Sequence, residues 1–214
     1  MKNEFRKCTL YVVRHGQTQW NVQKRWQGWL DSPLTEEGKA QARDAQAALS
    51  GIEVAAAYAS DVGRAIHTAE ILLEGRCVPL RLDRRLRERN YGAYEGRTAE
   101  ELDRLYPNTR YKDVGGSREA WRPPLGEPLS EVRTRVEAAL REIVNRHLGE
   151  NVLVVTHGGV MQVIESICAR KSLDELETTV PPNAAIFWIE AWPPDNFLLR
   201  DKAFSVVASA KVES

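Results

Sequence analysis

The chain has 214 residues, 43% of them hydrophobic, with 30 Lys plus Arg against 30 Asp plus Glu. That size and composition fit one medium-sized globular domain with a single sizeable core. Zero net charge without a basic stripe argues against a nucleic-acid partner, since neutralising many phosphates needs a local excess of Lys and Arg. Cys8, Cys77 and Cys168 are widely spaced with no C-x-x-C pair, so they read as packed side chains rather than a disulfide framework or a zinc site. Met1–Lys7 is polar, and no apolar run approaches the length that spans a bilayer. The expectation is a cytoplasmic protein with no membrane partner.

Leu10–Val13 is a short apolar run ending at Arg14-His15-Gly16, the pattern of a buried strand entering a loop. A Trp- and Gln-rich connection, Trp20–Pro33, follows. Thr35 caps an Ala-rich helix with Glu36 and Glu37 in its first turn, and Gly51 is expected to close it. Val54–Tyr58 reads as a second strand, followed by Ser60-Asp61 and a helix to about Leu73. Val78–Leu82 reads as a short strand, and Thr98 to Glu101 has capping-box spacing for another helix.

Residues 106–128, rich in Pro, Gly and charge, are expected to form an irregular excursion over the site. From Ser130, the positions Val132, Val136, Leu140 and Ile143 recur at helical spacing, predicting a long amphipathic helix to about His147, ended by Gly149. Asn151–Thr156 is the most apolar short run and ends at His157-Gly158-Gly159, with a helix from about Val160. Ala184–Trp192 and Phe197–Val207 read as two closing strands in a hairpin. Alternating strands and helices imply a mostly parallel sheet covered on both faces, and no repeat or linker divides residues 1–214 into two domains.

In open α/β sheets ligands bind beyond the carboxyl ends of the strands. His15 and His157 each follow a strand and precede a glycine. Arg14 adjoins His15, and Arg64 stands near the start of a helix. If the strands are neighbours, two imidazoles and two guanidiniums share one pocket beside helix N-termini, which suits a phosphate dianion. His67 and His147 read as packed or exposed side chains. Trp20, Trp26 and Trp29 could wall the pocket or simply pack.

Leu10–Thr18, L-Y-V-V-R-H-G-Q-T, followed by Asn21, resembles the signature of the histidine phosphatase superfamily. Further stretches agree in order and spacing: S-P-L-T-E-E-G from Ser32, S-D-V-G-R-A-I-H-T-A from Ser60, L-R-E-R-N-Y-G from Leu86, and V-V-T-H-G-G from Val154. The resemblance implies a three-layer α/β/α sandwich with a mostly parallel sheet and no metal or other cofactor. It also implies that His15 is the nucleophile and that Arg14, Arg64 and His157 hold the transferring phosphate with help from Asn21. Glu88 would be the general acid and base. Gln27 and Gly28, with Tyr91 and Gly158, are the further candidates for contacting phosphate or substrate.

The chemistry so implied is coherent. A neutral imidazole is a good nucleophile, and phosphoryl transfer needs mainly in-line placement and charge stabilisation. Arg14 and Arg64 should favour neutral His15. A phosphate dianion beside Glu88 favours its protonated form, which could protonate the departing alcohol.

The expected activity is a metal-independent phosphomonoesterase acting on a small phosphorylated metabolite through a phosphohistidine. The alternative is a cofactor-dependent phosphoglycerate mutase. Mutases of the family read E-R-H-Y-G after the glutamate and carry a substrate-binding lysine farther on. Here the run is Glu88-Arg89-Asn90-Tyr91-Gly92, and Ala99 falls where the lysine aligns. Trp121-Arg122-Pro123-Pro124 only partly resembles their double-arginine segment, although Arg118 and Arg122 are candidates for a second anionic group. Two rivals come from other classes. A metallohydrolase could use His15, His157, Glu88 and Asp61, but no H-E-x-x-H spacing is present. A non-catalytic anion-binding module would need no poised acid.

Overall fold

A computed structural model of the chain describes residues 6–176 and 179–203. Its elements run β1 (Cys8–Arg14), α1 (Gln19–Val22), α2 (Glu36–Ala48), β2 (Ala56–Ala59), α3 (Gly63–Leu73) and β3 (Leu80–Leu82). Short 3₁₀ turns at Arg84–Leu86 and Gly92–Tyr94 follow, then α4 (Ala99–Leu105), α5 (Tyr111–Val114), α6 (Leu129–Arg146), β4 (Asn151–Thr156), α7 (Gly158–Ala169), β5 (Ile186–Trp192) and β6 (Asn196–Ala203). The six strands form one sheet in the order β3-β2-β4-β1-β5-β6. The β3, β2, β4 and β1 strands are mutually parallel, while β5 is antiparallel to β1 and to β6.

Strand periodicity sorts the core into two layers. Leu10, Val12, Tyr58, Val152, Val154 and Phe187 point to one face and pack with Val132, Val136 and Leu140 of α6 and Met161 and Ile164 of α7. Val13, Ala57, Ala59, Leu153 and Val155 point to the other and meet Ala45 of α2 and Ala65, Ala69 and Leu72 of α3. A near-continuous apolar run such as Val152–Val155 is therefore what a strand covered on both faces requires. The three-layer α/β/α arrangement follows.

The predicted starts and stops hold with informative exceptions. Thr35 accepts the Gly38 N–H at 2.9 Å, and Thr98 and Glu101 form a reciprocal capping box. The α2 helix ends at Ala48, before Gly51, with Leu49 as its cap, so Gly51 is not its terminator. By contrast Gly149, at φ +88°, occupies the left-handed region just beyond α6. The α7 helix begins at Gly158 rather than Val160. Its two glycines read as loop in the sequence, yet here they open a helix against which other side chains press. The expected strand Val78–Leu82 shortens to Leu80–Leu82, and residues 204–207 of the last expected strand lie outside the described residues. Residues 106–128 contain the one-turn helix α5. Among the described residues no helix is long and apolar enough to cross a membrane.

Candidate active site

The register that pairs Arg14 with Thr156 and Ala59 with Val155 brings the carboxyl ends of β1, β2 and β4 level. His15 and His157 therefore leave the sheet side by side, with ring centroids 5.3 Å apart and an edge-on tilt of 63°. Ser60 follows β2, and Arg64 lies in the first turn of α3. The pocket over these strand ends measures about 300 Å³ and is lined by Arg14, His15, Arg64, Glu88 and Gly158 among others.

His15 is 3% exposed, and its Nδ1 lies 2.8 Å from the Gly16 carbonyl oxygen. A carbonyl can only accept, so Nδ1 carries the proton and Nε2 keeps its lone pair. Burial, then the positive charges of Arg64 and Arg14, hold the His15 pKa well below the ordinary imidazole value. The direction matches the sequence expectation, with burial the largest single cause. His157 is fully buried, and its pKa is likewise held low by burial first and by Arg64 second. Its Nε2 lies 2.8 Å from Ser60 Oγ. With the serine hydroxyl donating, the imidazole proton resides on Nδ1, which has no hydrogen-bond partner within the protein.

Arg64, 1% exposed, is anchored by its outer nitrogens. Nη2 donates to the Gly28 carbonyl at 2.7 Å, and Nη1 donates to the Leu30 carbonyl at 2.7 Å and to Asp31 Oδ1 at 3.3 Å. Arg14 Nη1 donates to the Pro181 carbonyl. The Nε of each guanidinium is buried and partnerless. Buried polar groups seldom stay unpaired without reason. Together with His157 Nδ1, protonated when Ser60 donates, the two Nε–H groups give three buried nitrogens suited to an anion.

Glu88 accepts the Arg89 N–H at 2.8 Å on one oxygen and the Gly159 N–H at 3.0 Å on the other. A Cβ at Gly159 would come within 2.4 Å of Glu88 Oε1, and one at Gly158 within 3.2 Å of Arg14 Nε. The double glycine is what lets the acid and the cation reach the pocket. Asp61 is held by Arg87 through two hydrogen bonds of 2.6 and 2.7 Å, which occupies one of the four side chains a metal-ligand reading needs.

Asn21 is the N3 residue of a capping box with Thr18 and also lines the pocket. Gln27 is buried with its Oε1 unpartnered, while Gly28, at φ +56°, serves through the carbonyl that holds Arg64. Tyr91 lines the same pocket, edge-on to Trp26 at 4.6 Å, and burial pushes its phenol pKa up.

A family model described as the histidine phosphatase superfamily (branch 1) matches residues 10–201. The chain belongs to that superfamily. The probable phosphoglycerate mutase GpmB of Escherichia fergusonii is 38% identical over 149 residues, covering 70% of this chain and 69% of the relative. Among solved structures, Bacillus stearothermophilus YhfR superposes with a TM-score of 0.83 at 38% identity, covering 90% of this chain and 95% of that one. A mycobacterial glucosyl-3-phosphoglycerate phosphatase in complex with VO3 superposes with a TM-score of 0.82 at 28% identity, covering 94% and 100%. The chain is accordingly a phosphoryl-transfer protein of a superfamily that holds both phosphatases and mutases.

Several supports of the site carry no signal in the sequence. Ser60 lies inside a matching segment, yet its bond to His157 spans 97 positions. Asn183 Nδ2 donates to the His15 carbonyl at 3.0 Å and to Asn21 Oδ1 at 3.3 Å, and no local pattern marks it. Glu95 staples the loop that carries Arg64's carbonyl partners to the Tyr91 loop, accepting N–H groups of Trp29 at 2.9 Å and Tyr91 at 3.0 Å.

The 106–128 segment packs behind the wall formed by Arg89–Gly92: Arg89 Nε donates to the carbonyl of its Glu127, and Ala93 N–H donates to the carbonyl of its Pro124 at 2.9 Å. Its Arg118 reaches Gln162, a pocket residue, at 3.3 Å. Arg122 instead binds the Gly126 carbonyl and Glu131, so only Arg118 of that pair adjoins the pocket. Trp26 lines the pocket, Trp29 donates to the Glu88 carbonyl at 2.9 Å, and Trp20 packs near Gly96. His67 is exposed, and His147 bonds Tyr58 and Glu150.

Proposed function

We propose that this member of the superfamily is a metal-independent phosphomonoesterase that passes the phosphoryl group of a small phosphorylated metabolite through His15. One observation carries the reading: a neutral imidazole with Nδ1–H fixed on Gly16 presents Nε2 in a pocket with three partnerless buried nitrogens, on Arg14, Arg64 and His157. Arg14, Arg64 and His157 bind the phosphate oxygens, and Asn21 and Gln27 add polar contacts. His15 Nε2 attacks phosphorus in line as the P–O bond to the alcohol breaks, and protonated Glu88 gives its proton to the departing oxygen. The Glu88 carboxylate then takes a proton from water, whose oxygen attacks the phosphorus of phospho-His15. Inorganic phosphate, free His15 and protonated Glu88 result. The N–H groups of Arg89 and Gly159 hold the carboxyl in place through both steps.

The name of the curated relative favours a second reading, a phosphoglycerate mutase. Against it, Ala99, in the first turn of α4, puts a methyl group where the mutases' lysine aligns. The pocket of about 300 Å³ supports a small substrate. The test is hydrolysis of p-nitrophenyl phosphate in excess EDTA, with His15→Ala run alongside and isomerisation of 3-phosphoglycerate assayed in parallel. Turnover in EDTA that vanishes in the variant is expected. Isomerisation without net hydrolysis would replace the phosphatase reading, and normal turnover by His15→Ala would end both.

A further inference from the structure

The peptide unit that holds the His15 proton is itself held. The Gly16 carbonyl accepts Nδ1–H at 2.8 Å, and the N–H of the same peptide unit, belonging to Gln17, donates to Gln41 Oε1 at 3.0 Å. Gln41 Nε2 in turn donates to the Glu37 carboxylate, one turn earlier on α2, at 3.3 Å. From this geometry we infer that Gln41 is a positioning residue for the nucleophile, fixing the tautomer of His15 through the Gly16–Gln17 peptide.

Three features make the arrangement more than a passing contact. The α2 helix is locked against the loop by close backbone approach: a Cβ on Gly16 would lie 2.2 Å from the Gly38 carbonyl oxygen, and one on Gly38 2.0 Å from that of Gln17. The Gln17 carbonyl accepts the Thr35 N–H at 2.9 Å, so α2, through its cap and Gln41, is tied to the loop at two successive peptides. The preceding peptide is pinned independently, because Gly16 N–H donates to Thr68 Oγ1 at 3.1 Å and that hydroxyl donates to the Arg64 carbonyl at 2.7 Å.

Hydrogen bonds in series polarise one another. An amide whose N–H is engaged has a more negative carbonyl, which strengthens its grip on Nδ1–H. The chain from His15 through a peptide and an amide to a carboxylate thus gives the imidazole an orienting partner although no acid touches it. Gln41 does not line the pocket, so its effect reaches substrate only through His15.

The inference rests on the assignment of His15 as nucleophile, but its main readout does not. Gln41→Met removes the acceptor at similar volume, and Gln41→Glu keeps an acceptor oxygen at the same reach. Imidazole ¹⁵N shifts of His15, together with kcat and KM for p-nitrophenyl phosphate, are measured for both and for the parent. In the parent and Gln41→Glu, Nδ1 should be protonated and Nε2 bare. In Gln41→Met the Nε2–H tautomer should become visible and kcat should fall about tenfold, the scale of one neutral hydrogen bond, with KM within about twofold. An unchanged tautomer in a folded Gln41→Met protein would overturn the inference, as would failure of Gln41→Glu to keep the parental tautomer. If Gln41→Met does not fold, the Gln41→Glu comparison still decides. If the tautomer shifts while His15→Ala retains turnover, the positioning role stands and the nucleophile assignment fails.

Discussion

Two neutral imidazoles buried side by side should leave a signature in the acid stability of the protein. Protons bind the unfolded chain first as pH drops below about 6.5, because only there are His15 and His157 in water. In the folded state burial and the arginines hold both pKa values well below 6.5. Both are pKa depressions of a base, so their contribution to stability is complete above about pH 6.5 and is lost as pH falls below it. Each such group costs about 1.4 kcal/mol per pH unit in that window, so from pH 6.5 to 5 the pair approaches a loss of about 4 kcal/mol. That is a large share of the ~5–15 kcal/mol that typically holds a domain together.

Asp61 belongs to a separate window. Asp61, held low by its hydrogen bonds from Arg87, weakens the fold only as pH falls below about 4. Urea unfolding of the parent, His15→Asn and His157→Asn from pH 5 to 8 isolates the histidine term, since all other groups are common to the three proteins. Each variant should lose about 1.4 kcal/mol per pH unit of the parental slope below pH 6.5. Stability curves of parent and variants running parallel through that range would refute the claim that these imidazoles are neutral in the folded protein.

Other perturbations address single contacts. Gly159→Ala should push the Glu88 carboxyl out of place, since the new methyl would sit 2.4 Å from Oε1, and lower kcat about 100-fold or more in a rapid-quench assay of phosphoenzyme formation and decay. Arg64→Met leaves the Gly28 and Leu30 carbonyls without their buried donor. It should cost about 2–5 kcal/mol in chemical denaturation and abolish phosphate binding measured by calorimetry. Asp61→Asn breaks only a partly exposed ion pair with Arg87, so stability should fall by no more than about 1 kcal/mol and turnover in EDTA should stay within about twofold. A loss of turnover restored by a divalent cation would return Asp61 to a metal site.

Much of the pocket was legible because its main side chains sit in short segments next to strand ends. A buried strand must end somewhere, and Arg14, His15 and His157 are the residues at which β1 and β4 do. The two-faced burial of Val152–Val155 likewise made the central sheet readable from composition alone. Less legible were contacts in which a side chain seizes a distant backbone group. Asn183 on the His15 carbonyl, Gln41 on the Gln17 N–H and Arg135 on the carbonyls of Arg85, Arg87 and Glu88 depend on the final packing of layers, not on local pattern. Strand order was hidden for the same reason: nothing in β5 announces that it pairs with β1 rather than extending the parallel edge. Gly158 and Gly159 misled the placement of α7 because a glycine pair signals a break unless crowding by Arg14 and Glu88 is already known.

Because β5 folds back antiparallel onto β1, the strand that delivers His15 is flanked on both sides, by β4 and by β5. Its amides should therefore be among the last in the molecule to exchange with deuterium, opening only in near-global unfolding. The segment that delivers Glu88 has no such flanks. It runs through two isolated 3₁₀ turns and is tied mainly by side chains such as Arg135 and Glu95. Exchange in the native state should accordingly divide the site by timescale, with a static nucleophile on one wall and a faster-breathing acid on the other. The motions that admit substrate and release phosphate would then belong to the wall carrying the acid.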